Sequence, residues 1–117
     1  MSFEIVNTGT KKYTEVLANT ALSHNCSPNF AVRDVTNGHI LAEVNFQDGP
    51  IKEVGVNGVA NEDLIAMVMH RLNQFQNSNF ACEENEEAYT HLGSALASLR
   101  KRTNKRSKRG VEGTSEV

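Results

Sequence analysis

The sequence predicts an α+β fold: a small antiparallel β-meander followed by a long helical hairpin. Three observations predict it. Apolar residues alternate with polar ones in the short runs before about residue 57, then recur at helical spacing from residue 61 onward. Turn-forming pairs, Asn37-Gly38 and Gly49-Pro50, separate the short runs of the first half. Charge is graded along the last third, with Glu83, Glu84, Glu86 and Glu87 at its start and seven Lys/Arg between residues 100 and 109 at its end. That gradient suits the dipole of one long helix.

Each element has its own signal. Phe3-Glu4-Ile5-Val6 reads as an edge strand. Tyr13 to Leu22 fits either a short helix or another strand, and Ser23 to Asn29 reads as a loop. Residues 29–57 read as the meander. Its strands are Phe30 to Val35, His39 to Phe46 and Ile51 to Val56, with Ile40, Ala42, Val44 and Phe46 on one face. Thr36-Asn37-Gly38 supplies a tight hairpin in which Asn37 and Gly38 both take positive φ, and Gln47-Asp48-Gly49-Pro50 is the second turn. Asn61 is an expected N-cap, with Glu62 and Asp63 in the first turn. Leu64, Val68, Leu72 and Phe75 form one apolar stripe, with Ile65 and Met69 beside it. Gln76-Asn77-Ser78-Asn79 breaks this helix. A second runs from near Phe80 to about Arg109, and Gly110 is its natural stop. The tail Val111 to Val117 has no periodicity and is expected to fray. The whole is read as one domain: residues 1–58 mainly β, 61–109 the hairpin, 110–117 the tail.

Composition bounds the function. With 117 residues, 38% hydrophobic and no Trp, the chain builds only a thin core, and assembly with further copies would bury more. No run of about 18 apolar residues is present, so no membrane span is expected. The start Met1-Ser2-Phe3-Glu4 has no basic flank leading into an apolar run, so no secretory signal is expected either. Cys26 and Cys82 fit free thiols in a reducing cytoplasm. Residues 1–99 carry five Lys/Arg against twelve Asp/Glu, a net charge of −7, and residues 100–117 carry seven against two, a net of +5. The chain therefore has an anion-seeking end.

The second helix reads as a heptad. One seam line is Asn85, Leu92, Leu99 and Arg106, and the other is Ala88, Ala95, Arg102 and Arg109. The middle is apolar and small, and both ends are polar. Asn85 and Arg102 are separated by roughly 25 Å of helix, so one chain cannot bring them to one small ligand. Two such helices packed antiparallel about an axis near residue 94 or 95 would set Asn85 of one chain beside Arg102 and Arg106 of the other. Phe75, at the corner of the hairpin, would supply a stacking face, with Phe80 as a second candidate. Guanidinium forks hold phosphate, a ring stacks a purine, and an amide reads a base edge or ribose hydroxyl. The combination suits a nucleotide-like anion.

Catalytic patterns are missing. His24, His39, His70 and His91 show no paired metal spacing, Cys82 and His91 do not share a helix face, and no Gly-rich phosphate loop runs into Lys-Ser/Thr. No enzyme activity, metal or cofactor is expected. Two rivals remain. A nucleic-acid binder would use residues 100–109 as a helical arm and lose affinity steeply with salt. A purely structural oligomer would pair the basic end of each helix with the acidic end, Glu83 to Glu87, of a neighbour.

Residues 48–114 resemble the phage Thoeris anti-defence sponges of the first type. The resemblance lies in Asp48-Gly49-Pro50-Ile51-Lys52-Glu53-Val54-Gly55-Val56-Asn57-Gly58, in Asn61-Glu62-Asp63-Leu64-Ile65-Ala66, and in Phe80-Ala81-Cys82 followed by Glu84-Asn85. It continues in Arg102-Thr103 and Arg109-Gly110-Val111-Glu112-Gly113-Thr114. The second-helix signature is shared with phage anti-CBASS sponges for cyclic di- and trinucleotides, and the meander favours the Thoeris type. The resemblance implies capture, without catalysis, of cyclic ADP-ribose isomers in the host bacterial cytoplasm, at a site between protomers. It implies Phe75 as the stacking residue, Asn85 as the polar reader and Arg102 and Arg106 as phosphate clamps, with Arg109 next on the same face. A homodimer or larger assembly is implied. Some members form hexamers and hold cyclic oligonucleotides at separate sites. Neither a membrane nor a nucleic acid is an expected partner.

Overall fold

Four strands form one antiparallel sheet in the order β1-β2-β3-β4: β1 is Phe3–Val6, β2 is Thr14–Asn19, β3 is Asn29–Asp34 and β4 is Ile40–Asn45. The computed structural model describes residues 2–6, 8–9 and 12–117. They fall into two compact units, Met1–Val59 and Ala60–Val117. In the first unit β1 is an edge strand, as its sequence predicts, and the segment from Tyr13 to Leu22 resolves as a strand rather than a helix. β2 owes its place between β1 and β3 to its alternation. Val16 and Ala18 pair with Val32 and Phe30, while Leu17 pairs with Ala31 and Glu15 with Arg33. The buried apolar residues among those described are Leu17, Ala18 and Ala31. Glu15 is buried as well, and Arg33 across the ladder meets its carboxylate at 2.6 Å.

The hairpin between β3 and β4 is looser than Asn37-Gly38 alone predicts. Gly38 takes positive φ (75°) and Asn37 does not. Asp34 instead opens the turn, its carboxylate accepting the Thr36 N–H at 2.8 Å, and Asn37 closes it by accepting the His39 N–H at 2.9 Å. These side-chain bonds replace the tight two-residue turn. A register shift between Val32 and Arg33 sets Ile40 opposite Arg33, which takes Ile40 out of the alternation. Ala42 and Val44 keep to it, and Phe46 meets Phe30 edge-on at 5.5 Å.

The third strand predicted over Ile51 to Val56 does not form. Ile51–Val54 is a single helical turn, α1. Pro50 lacks an N–H for a ladder and sits as the extended cap of the turn (φ −67°, ψ 129°), its carbonyl collecting the N–H groups of Glu53 and Val54. Gly55, at φ 80°, ends the turn. Gln47 and Asn57 then brace the loop. Gln47 donates to the carbonyls of Gly49 and Gly55 and accepts the Asn57 N–H, while Asn57 exchanges bonds with the Asp48 backbone. Val59 closes the unit in a parallel bridge with Phe46.

The second unit is the helical hairpin: α2 is Asn61–Gln76 and α3 is Glu83–Lys108. The cap of α2 is Ala60 rather than Asn61. Asp63 reaches back to accept the Ala60 N–H at 2.8 Å, so the carboxylate does the capping that Asn61 was expected to do. The stripe of α2 is centred nearer its predicted flank: Leu64 and Leu72 are half-buried as expected, together with Ile65, Met69 and Gln76, whereas Val68 and Phe75 are exposed. Neither helix contains a buried residue. None of the described helices is long and apolar enough to cross a membrane.

Candidate functional site

The two ends of the hairpin carry different chemistry. At the corner, polar side chains fix the chain so that two rings stand out. Gln76 both donates to the Cys82 carbonyl and accepts the Cys82 N–H, each at 3.0 Å. Ser78 donates to the Phe75 carbonyl at 2.6 Å and accepts the Phe80 N–H at 3.1 Å. Phe75 and Phe80 meet edge-to-face, with centroids 6.3 Å apart and planes at 85°. The Arg71 guanidinium lies 5.6 Å from the Phe75 centroid, within cation–π range. Arg71, Gln74, Ser78 and the two rings line a cleft of about 240 Å³. Asn85 belongs to this end, its amide donating to the Phe80 carbonyl at 3.3 Å.

At the other end the basic run stands clear of its partner helix. Met69 of α2 is the side chain nearest Gly93 of α3. Counting antiparallel from that contact, Asn61 is level with about residue 101, so the last two turns of α3 have no α2 alongside. Lys101, Arg102, Lys105, Arg106 and Arg109 line an open groove of about 540 Å³ there. Among the described residues, no carboxylate makes an ion pair with any of these five cations.

The structure thus groups the predicted residues in two sets. Phe75 and Asn85 share the corner, and Arg102, Arg106 and Arg109 share the far end of α3. Unbroken helix from Glu83 to Lys108 keeps the sets apart within one chain. Of the two seam lines, Asn85, Leu92, Leu99 and Arg106 are half-buried, Arg106 against the chain that follows α3, and Ala88 of the other line is half-buried as well. Ala95, Arg102 and Arg109 of the other line are exposed.

Two features escaped the sequence reading. The first part of the tail, Val111 to Thr114, folds back on the end of α3, while residues 115–117 are exposed. After α3 ends, Val111 and Gly110 return their N–H groups to Arg106 and Ser107, and Arg106 in turn donates to the carbonyls of Val111 and Thr114 at 3.0 and 3.2 Å. The Gly110-Val111 pair at a helix stop was the available signal. The second feature lies in the sheet unit, where Ser23 donates to Asp48 at 2.6 Å and His24 Nδ1 lies 3.2 Å from both side chains. Those bonds hold the Asp48 carboxyl below the usual carboxylate range, Ser23 contributing most and His24 next. One ring nitrogen serves both neighbours, and Ser23 bonds the carboxylate directly. A nucleophilic relay needs the imidazole between them, using both nitrogens, so this cluster braces a turn.

Comparison with known proteins follows the hairpin. The chain is 63% identical over 76 residues to the protein named Thoeris anti-defense 1 of Bacillus phage SBSphiJ7, an alignment covering 65% of this chain and 54% of that protein. The chain therefore spans about half the length of the curated relative it matches. The family model described as Acb2/Tad1, hairpin domain, matches residues 39–104, taking in Phe75, Asn85 and Arg102. That match runs over more than half of the sequence and nearly all of α2 and α3, and the chain belongs to the Acb2/Tad1 hairpin-domain family.

Proposed function

We propose that this chain captures a cyclic ADP-ribose-type signalling nucleotide and holds it without turning it over, blocking a Thoeris-type defence from within the host bacterial cytoplasm. The observation that supports the reading is the split of the hairpin into a ring-and-amide corner and an arginine end that has no carboxylate ion pair among the described residues. Neither end is a complete nucleotide site. Two hairpins packed antiparallel join them twice: Phe75 and Asn85 lie beside the partner's Arg102 and Arg106, in two equivalent pockets. Two helices without one buried residue favour such pairing, because isolated helices gain most of their stability from packing. The exposed Val68, Phe75 and Ala95 supply surface for it. The name of the Bacillus phage relative agrees with the reading.

In this site the purine stacks on Phe75, the Asn85 amide reads a base or ribose edge, and Arg102, Arg106 and Arg109 hold the phosphates. Titration calorimetry with cyclic ADP-ribose isomers tests it. Phe75→Ala should weaken binding about 10- to 100-fold, the scale of one lost base stack of roughly 1–3 kcal/mol. Arg102→Ala should weaken it at least as much. Heats unchanged in both variants would remove the pocket, and no heat in the wild type would remove the function.

A second reading has its own support. The opposite end of α3 presents Glu83, Glu86 and Glu87 around an exposed acidic surface. An antiparallel neighbour could neutralise these with its arginines, leaving a structural oligomer. That arrangement gives no ligand-induced rise in melting temperature, whereas capture gives a rise that grows with nucleotide concentration.

A further inference from the structure

We infer that the segment Val111 to Thr114 is a positioning device for Arg106, holding its guanidinium ready for an anion. Arg102 and Arg109 are exposed, and Arg106 between them is half-buried. Its Nη2 donates to the Val111 carbonyl at 3.0 Å and to the Thr114 carbonyl at 3.2 Å. The Thr114 hydroxyl and N–H both turn back to the Val111 carbonyl, closing the loop on itself. Gly113, at φ 79°, permits the bend.

A helix stop alone does not require this. The bonds from Gly110 and Val111 to Ser107 and Arg106 already complete the end of α3. The chain goes on for another turn, and what it encloses is the side chain of Arg106. The chemistry of the enclosure is specific. Both acceptors are neutral carbonyls, so the positive charge is retained, and Glu112 in the same loop makes no ion pair with it among the described residues. A guanidinium has five N–H donors, so three remain for a ligand. A free arginine loses rotamer freedom when it is fixed. Here much of that loss has been taken at folding, which raises affinity for a phosphate without adding a contact.

The ligand part of this inference rests on the proposed function, and the positioning part does not. Two measurements keep them separate. In ¹⁵N-resolved NMR of the full chain, the Arg106 Nη protons should appear as resolved signals, because rotation of the guanidinium is hindered. Truncation after Val111 should average them, Thr114→Val should broaden them, and Thr114→Ser should restore them. Resolved signals that survive truncation would overturn the inference whether or not any nucleotide binds. In calorimetry with cyclic ADP-ribose, truncation should weaken binding about tenfold with α3 helicity unchanged. Added to Arg106→Ala it should cost nothing more, because the loop acts through that residue. Losses that add in full would overturn it. Absence of heat in the full chain would end the functional reading alone, with the NMR result deciding the positioning role.

Discussion

Asp48 shows how single side chains fix the sheet unit. Its carboxylate accepts from Ser23 and lies beside His24, joining the turn before β3 to the braced loop after β4. Because these bonds favour the ionised form, its contribution to stability is fully present above the unfolded value near pH 3.9 and is lost as pH falls through the lower folded value. Wild-type chain should therefore lose sheet stability on acidification below about pH 4, and Asp48→Asn should flatten that part of the profile, measured by circular dichroism melts against pH. Gly58 acts by size. A Cβ there would stand 2.4 Å from the carbonyl carbon and oxygen of Phe46, which are backbone and cannot swing away. Gly58→Ala should destabilise the unit by about 1–3 kcal/mol in chemical denaturation, the range of overpacking. Gly93 is the opposite case, since a Cβ there meets only the flexible end of Met69 at 3.5 Å. The sequence shows both glycines and cannot tell them apart, because the difference lies in which atoms fold against each.

Among the elements, the helices are the best predicted and α1 the worst. Helical period, acidic starts and a basic end agree from Asn61 to Lys108, and agreement across several local signals makes a boundary legible. Ile51 to Val54 has the residue types of a strand, but Pro50 and Gly55 bracket it at a length of one turn. Backbone geometry at the ends overrides side-chain preference in so short a segment. The corner between α2 and α3 depends on Gln76, whose two bonds to Cys82 join the end of one helix to the start of the next. Gln76→Ala should lower hairpin stability by about 1–2 kcal/mol, two net hydrogen bonds, in thermal unfolding. It should also loosen Phe80, read as broader ring signals in NMR.

On the scale of the whole molecule the shortage of buried surface is the leading fact. The described residues include no large side chain that is fully buried, and Phe75, Val68 and Met67 lie open on α2. Light scattering should accordingly find a dimer or larger species at micromolar concentration, and Ala95→Glu, on the exposed line of α3, should shift it toward monomer while leaving the helical content in place. The sequence by itself determined the fold class, the hairpin, the charge gradient and the identity of Phe75, Asn85, Arg102, Arg106 and Arg109 as candidates. Those follow from periodicity and residue chemistry, which are local. Only the tertiary structure decided that Val68 and Phe75 face outward while Ile65 and Met69 turn in beside Leu64 and Leu72, that Asp63 caps α2, and that the tail encloses Arg106. Each depends on which groups meet across a turn or a helix pair. A one-position rotation of a helix or a change of φ at one glycine alters those meetings without altering the pattern along the chain.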